Sequence, residues 1–124
     1  MRDWILVATG GAIGATARHF ASEAALVLLP ATFPWGTYLI NITGCIAMGV
    51  VAGLGGAGSV SPSTRLFLAT GVLGGYTTFS AFGLEAHILL SNGRSTAAVG
   101  YVLGQLVLGV LGVYLGLAIA RRIG

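Results

Sequence analysis

Gly71-Val72-Leu73-Gly74-Gly75-Tyr76-Thr77-Thr78-Phe79-Ser80-Ala81-Phe82 lies within an apolar segment, 66–90, long enough to cross a bilayer, yet its residues make a poor continuous helix. Gly74 and Gly75 are weak helix formers, and Thr77 and Thr78 are β-branched with hydroxyls that compete for backbone partners. The pattern predicts a helix break at membrane depth. Unwound backbone persists there only if it is buried in protein or lines a wet cavity, where its freed carbonyls can bind a cation. A kinked helix whose hydroxyls bond back to its own carbonyls is the competing reading.

Outward from this stretch, further apolar segments run over 4–29, 38–54 and 96–119, so four transmembrane helices in one all-α domain, 1–124, are expected. The interruptions carry turn-forming residues: Pro30 to Gly36 with Pro34, Gly55 to Ser63 with Pro62, and Ser91-Asn92-Gly93-Arg94. The first segment carries Arg18 and Glu23 late in its length and further spans follow, so it is expected to be retained rather than cleaved as a signal peptide. Four spans put both termini on one side with Arg2, Arg65, Arg121 and Arg122, against Arg94 and a snorkelling Arg18 on the other. That bias favours cytoplasmic termini and is small.

Of the 124 residues, 56% are hydrophobic and 7% charged, which excludes an ordinary soluble domain. The six basic residues are all arginine and too scattered for a phosphate-binding stripe, so no nucleic-acid partner is expected. The single Cys45 allows no intramolecular disulfide and no CxxC metal pair. Twenty-one glycines recur within the apolar segments, as in Gly10/Gly14, Gly49/Gly53, Gly100/Gly104 and Gly112/Gly116, the GxxxG spacing that lets helices approach closely in lipid.

Several polar and aromatic residues stand out in this background. Asn41 must find partners inside the protein, either as a structural bond between helices or as a donor to a ligand. Phe79 and Phe82 share a helix face, suited to core packing or to turning positive ring edges toward an anion. Tyr101 and Gln105, with Gly109 beyond them, make a short polar stripe on the last helix, a plausible pathway wall. Arg18 and Glu85 are the ionisable residues best placed within the membrane; Arg18 can draw anions into a vestibule, whereas Glu85 has the wrong sign unless protonated or paired. His19 and His87 lack an i,i+4 ligand partner, which argues against a side-chain metal site.

Enzymatic function is not expected. Thr9-Gly10-Gly11-Ala12-Ile13-Gly14 imitates part of a dinucleotide fingerprint, but no strand precedes it and no βαβ unit can follow. A nucleophile elbow and paired catalytic carboxylates are also missing.

The chain resembles the Fluc (CrcB) fluoride channels over nearly its whole length. The resemblance rests on Gly10-Gly11-x-x-Gly14-Ala15-x-x-Arg18, on Gly36-Thr37-x-x-x-Asn41-x-x-Gly44, and on Gly71-x-x-Gly74-Gly75-x-Thr77-Thr78-Phe79-Ser80-x-Phe82-x-x-Glu85. It implies a four-helix subunit in the bacterial inner membrane that forms an antiparallel, dual-topology homodimer and passes fluoride passively through two pores. It also implies a structural sodium ion at the dimer centre, bound by the backbone carbonyls of Gly74 and Thr77. The implied pore comprises Asn41 as donor, the ring edges of Phe79 and Phe82, and Tyr101, with Thr78, Ser80 and Gln105; Arg18 and Glu85 serve as vestibule or structural charges. Two differences from the family pattern are His19 in place of an aromatic and Ala81 in place of threonine. A third is the lack of Ser or Thr between Tyr101 and Arg121, which leaves the polar track of the last helix to Gln105.

Such a pore suits fluoride, a small and strongly hydrated ion whose lost water must be replaced by preorganised donors. A small dual-topology multidrug or ion exchanger is the main rival, although it normally needs a central carboxylate for coupling. A noncatalytic membrane assembly protein is the other, and it would owe nothing to Asn41 or the phenylalanine pair.

Overall fold

A computed structural model describes residues 2–124. The chain forms α1 (Asp3–Leu28), α2 (Trp35–Gly56), a short α3 (Pro62–Arg65), a π-helical stretch (Leu66–Leu73), α4 (Gly74–Tyr76), α5 (Phe79–Ser91) and α6 (Ser95–Ile123), with no strand among the described residues. Among the described residues three units are long and apolar enough to cross a membrane: Trp35–Gly56, the composite Pro62–Ser91, and Ser95–Ile123. The 26-residue α1 also has the length, but carries Asp3, Arg18 and Glu23 along it.

Local chemistry accounts for the boundaries. Ser61 accepts the Thr64 N–H at 3.1 Å with Pro62 behind it, an N-terminal arrangement that starts the third unit. Gly58 and Gly93 sit at φ +73° and +72° in the two turns that need a left-handed residue. Between α4 and α5, Thr77 (ψ 160°) and Thr78 (φ −149°, ψ 123°) are extended, and the Thr78 hydroxyl caps α5 by accepting the Ala81 N–H at 3.3 Å.

Packing is decided by glycine. A Cβ on Gly10 would lie 2.7 Å from the Phe67 carbonyl oxygen and 2.9 Å from the Gly71 Cα, and one on Gly14 would collide with the Val72 carbonyl. α1 therefore lies backbone against backbone on the π-helical stretch. Across the bundle, a Cβ on Gly49 would strike the Val113 carbonyl and one on Gly116 the Ile46 carbonyl, which clamps α2 to α6. Gly104 faces the Tyr38 ring, whereas Gly100 has open space around it and makes no close approach.

On α6 the buried positions Ala98, Tyr101, Gln105, Gly109, Gly112, Gly116 and Ala120 follow the three-and-four spacing of one helix face. Leu103, Leu106, Val107, Val110 and Leu111 lie exposed on the others, as suits a helix in hydrocarbon. Among the described residues only Tyr101 is a large side chain with no exposure at all; it packs with Leu89 and Ala98 in a cluster bordered by Phe33, Tyr38, Phe82 and Ala86.

Candidate functional site

Asn41 is positioned by α2, one helical turn beyond Thr37, and both project toward the third unit and α6. The Asn41 amide meets the extended backbone of Thr78 twice. Its Nδ2 donates to the Thr78 carbonyl at 2.9 Å, and the Thr78 N–H donates to its Oδ1 at 2.9 Å. Nδ2 also donates to Gln105 Oε1 at 2.7 Å, so one side chain joins α2, the break and α6.

A second polar cluster lies one turn away. Thr37 Oγ1 donates to Glu85 Oε1 at 3.0 Å, and the Tyr101 hydroxyl donates to Glu85 Oε2 at 2.5 Å. Glu85 is thus paired with two hydroxyls, one on each of its oxygens. Gln105 links the clusters, since its Nε2 donates to the Tyr101 carbonyl at 3.4 Å while its Oε1 accepts from Asn41.

The clusters separate two cavities. One, of about 390 Å³, is lined by Thr37 and Glu85 together with Ser22, Thr32, Asn92 and Arg94, among apolar residues of the α1–α2 loop. The other, of about 260 Å³, is lined by Asn41, Cys45, Thr77, Thr78 and Phe79, with Met48 and Val113. The chain of polar groups from Thr37 through Glu85, Tyr101 and Gln105 to Asn41 and Thr78 bridges them.

Aromatic rings flank this bridge. Phe82 stacks on Tyr101 with centroids 5.7 Å apart, and Phe79 follows 5.4 Å from Phe82. Phe79 is 82% exposed on the protomer, so its ring projects out of the bundle at the mouth of the Asn41 cavity.

The break also changes which carbonyls are satisfied. In a continuous helix the Thr78 N–H would bond the Gly74 carbonyl and the Ala81 N–H the Thr77 carbonyl. The first goes instead to Asn41 Oδ1 and the second to Thr78 Oγ1. Gly74 and Thr77 both lose their helical donors, and Gly74 lies exposed on the protomer surface.

Of the residues singled out from the sequence, Asn41, Thr78, Glu85, Tyr101 and Gln105 come together in one hydrogen-bonded network, with Phe79 and Phe82 beside it. Ser80 is exposed and joins no side-chain hydrogen bond among the described residues. Arg18 is half-buried on α1 and outside the network, and it lines neither cavity. Thr37 was not among the expected pore residues, although its position four residues before Asn41 on a helix was a usable signal. The Arg94 guanidinium donates to the Thr32 carbonyl, a link 62 residues apart in sequence that no local pattern announces.

The family described as "CrcB-like protein, Camphor Resistance (CrcB)" matches residues 5–117. The chain is 49% identical over 125 residues to a protein of Hyphomonas neptunium named "Fluoride-specific ion channel FluC", covering 99% of this chain and 98% of that one. Relatives in Chelativorans sp., of the same name, and Nitrobacter hamburgensis, named "Fluoride-specific ion channel FluC 2", are 47% and 44% identical; the matches cover 99% and 98% of this chain and the same shares of theirs. A match running through all the helices that build the network, with relatives alike from end to end, makes this chain a member of the CrcB family.

Proposed function

We propose that this protein is a fluoride-selective channel through which the ion leaves the cell down its electrochemical gradient. The observation that carries this reading is the pair of polar clusters, Thr37–Glu85–Tyr101 and Gln105–Asn41–Thr78, joined at the Tyr101 backbone carbonyl inside an otherwise apolar bundle, in a family whose relatives bear a fluoride-channel name. Fluoride entering from the Thr37 side meets the hydroxyls of Thr37 and Tyr101 and then the amides of Gln105 and Asn41. These donors replace part of its hydration shell. The ring edges of Phe82 and Phe79 offer positive partial charge along the same course. Each donor is engaged by a neighbour, the Thr37 and Tyr101 hydroxyls by Glu85 and both Asn41 Nδ2 hydrogens by Thr78 and Gln105, so the passing ion exchanges with those partners.

The functional unit in this proposal is an antiparallel homodimer of four-span subunits, inserted in both orientations in the bacterial inner membrane, with α1 as the fourth span. Two copies give two pores. The exposed Phe79 ring and the exposed Gly74 suit this assembly, because a partner protomer would cover both.

A structural sodium ion completes the reading. The carbonyls of Gly74 and Thr77 are among those that the break leaves without helical N–H donors, and oxygen ligands without a carboxylate suit a hard monovalent cation. Two protomers would supply both pairs, and the ion would neutralise carbonyl dipoles that hydrocarbon leaves unpaired.

Purified protein reconstituted in liposomes and monitored with a fluoride electrode tests the function. Fluoride efflux set by the membrane potential, with no comparable chloride flux, is expected. Proton-coupled drug or cation exchange would point to the exchanger class, and the absence of any flux to an assembly role.

A further inference from the structure

The cavity on the Thr37 side carries an electrostatic problem. Its polar lining includes the Glu85 carboxylate, and an anion entering it approaches a group of its own sign. Arg94 is the cation among the residues lining that cavity. It follows Gly93, whose φ of +72° completes the α5–α6 turn, and its guanidinium donates to the Thr32 carbonyl in the α1–α2 loop. A long, exposed arginine would ordinarily sweep through many rotamers, but this one is anchored over the cavity from the opposite loop. A guanidinium presents five N–H donors, and the bond to Thr32 leaves others for a passing anion.

We propose that Arg94 is the anion-admitting residue of this mouth, whose fixed charge offsets the Glu85 carboxylate and concentrates fluoride in the cavity. The inference rests on the fluoride-channel reading above. Arg18, the charge expected from the sequence to serve the vestibule, does not line this cavity, so the steering task falls to Arg94. The bond to Thr32 is the device that holds the charge in place.

Charge steering and mechanical latching differ in their response to salt. Initial fluoride efflux is measured from liposomes at fluoride well below saturation, in an inert potassium salt at about 10 mM and again at about 1 M, where screening lengths are ~30 Å and ~3 Å. Arg94→Gln is expected to run about tenfold slower than the wild type in low salt and within about twofold of it in high salt. Arg94→Lys should stay within about twofold in both. Asn92→Asp places a negative charge on the same wall without touching the Arg94–Thr32 bond, and should reproduce the salt-dependent loss.

A deficit of equal size at both salt concentrations would make Arg94 a latch only, and a wild-type rate in low salt would remove it from entry altogether; either result overturns the proposal. Should Arg94→Gln fail to assemble, Asn92→Asp decides alone: a low-salt deficit that disappears in high salt supports steering, and no deficit overturns it. No efflux from the wild type would reject the channel reading and this inference with it, an outcome distinct from failure confined to the variants.

Discussion

The side-chain amide of Asn41 and the backbone of Thr78 hold each other by two reciprocal hydrogen bonds of 2.9 Å, so that a residue of α2 takes the place of the missing helical partner at the break. The opening in the third unit and the polar centre of the bundle therefore depend on one side chain. The extended Thr78 finds in Asn41 the partner of both its N–H and its carbonyl, and the diverted Thr78 N–H leaves the Gly74 carbonyl without its helical donor.

Asn41→Ala should consequently act on stability and transport together. It strips partners from the Thr78 N–H and carbonyl, and an unpaired buried group costs about 1–3 kcal/mol. Fluoride efflux at least about tenfold slower and a destabilisation of about 2 kcal/mol are expected, read from liposome flux and from unfolding in detergent. Gln105→Ala leaves the Asn41–Thr78 pairing intact but takes the acceptor from one Asn41 N–H, so it should slow efflux with a smaller destabilisation than Asn41→Ala. Equal stability losses in the two variants would contradict this division.

Phe79→Ile and Phe82→Ile largely keep apolar volume and remove the positive ring edge. Both should slow efflux about tenfold or more with the protein still folded. Phe82→Ile also loses the stack on Tyr101, so it should unfold more easily than Phe79→Ile, whose ring is 82% exposed on the protomer. Wild-type efflux in both variants at equal protein density would remove the rings from the pathway.

Glu85 accepts from Tyr101 and Thr37 at once, so these residues should be energetically coupled. Tyr101→Phe alone is expected to cost about 0.6 kcal/mol and at most about 1.7 kcal/mol, the average and the maximum of side-chain hydrogen-bond energies from double-mutant cycles in a helical membrane protein. In a Glu85→Ala background the same substitution should cost at least ~0.5 kcal/mol less. Strict additivity in that cycle, measured by unfolding in detergent, would mean that the hydroxyl–carboxylate bond contributes nothing.

Glycine positions should divide by their surroundings. Gly14→Ala and Gly49→Ala drive a methyl into the backbones of Val72 and Val113 and should separate the helices, lowering the yield of folded protein. Gly56→Ala and Gly100→Ala meet nothing within 4 Å and should fold like the wild type. Size-exclusion profiles of the four variants supply the comparison, and loss of folded protein in Gly100→Ala would refute it.

The sodium proposal makes thermal stability depend on that cation. Replacing sodium by a large organic cation should lower the unfolding temperature, and restoring it at about 100 times its dissociation constant should return about 2.7 kcal/mol. Thr77→Ser keeps the carbonyl and should keep the response, while Gly74→Leu crowds the approach of two protomers and should abolish it. An unfolding temperature indifferent to sodium in the wild type would reject the ion.

The apolar runs, their glycines and the residues that interrupt them were legible without coordinates because each is a local property of solubility or propensity. Hydrocarbon demands about 20 apolar residues per span, Gly74-Gly75 and Thr77-Thr78 disfavour a helix, and Asn41 cannot sit unpartnered in lipid. Hence the helical class and most of the network residues could be named in advance. GxxxG spacing was a weaker guide, since Gly100 turned out to face open space while Gly104 packs on Tyr38.

Tertiary structure alone decided who partners whom. Glu85 stood in the sequence as a vestibule or structural charge, and only packing brought Thr37 and Tyr101 onto its two oxygens. The π-helical turns of Leu66–Leu73 had no signature in residue type; they accompany the backbone-to-backbone contact with Gly10 and Gly14, a relation between segments more than 50 positions apart. The same holds for Arg94 and Thr32. Propensity and hydropathy act over a few neighbouring residues, whereas a hydrogen bond between distant segments exists only after packing has brought donor and acceptor together.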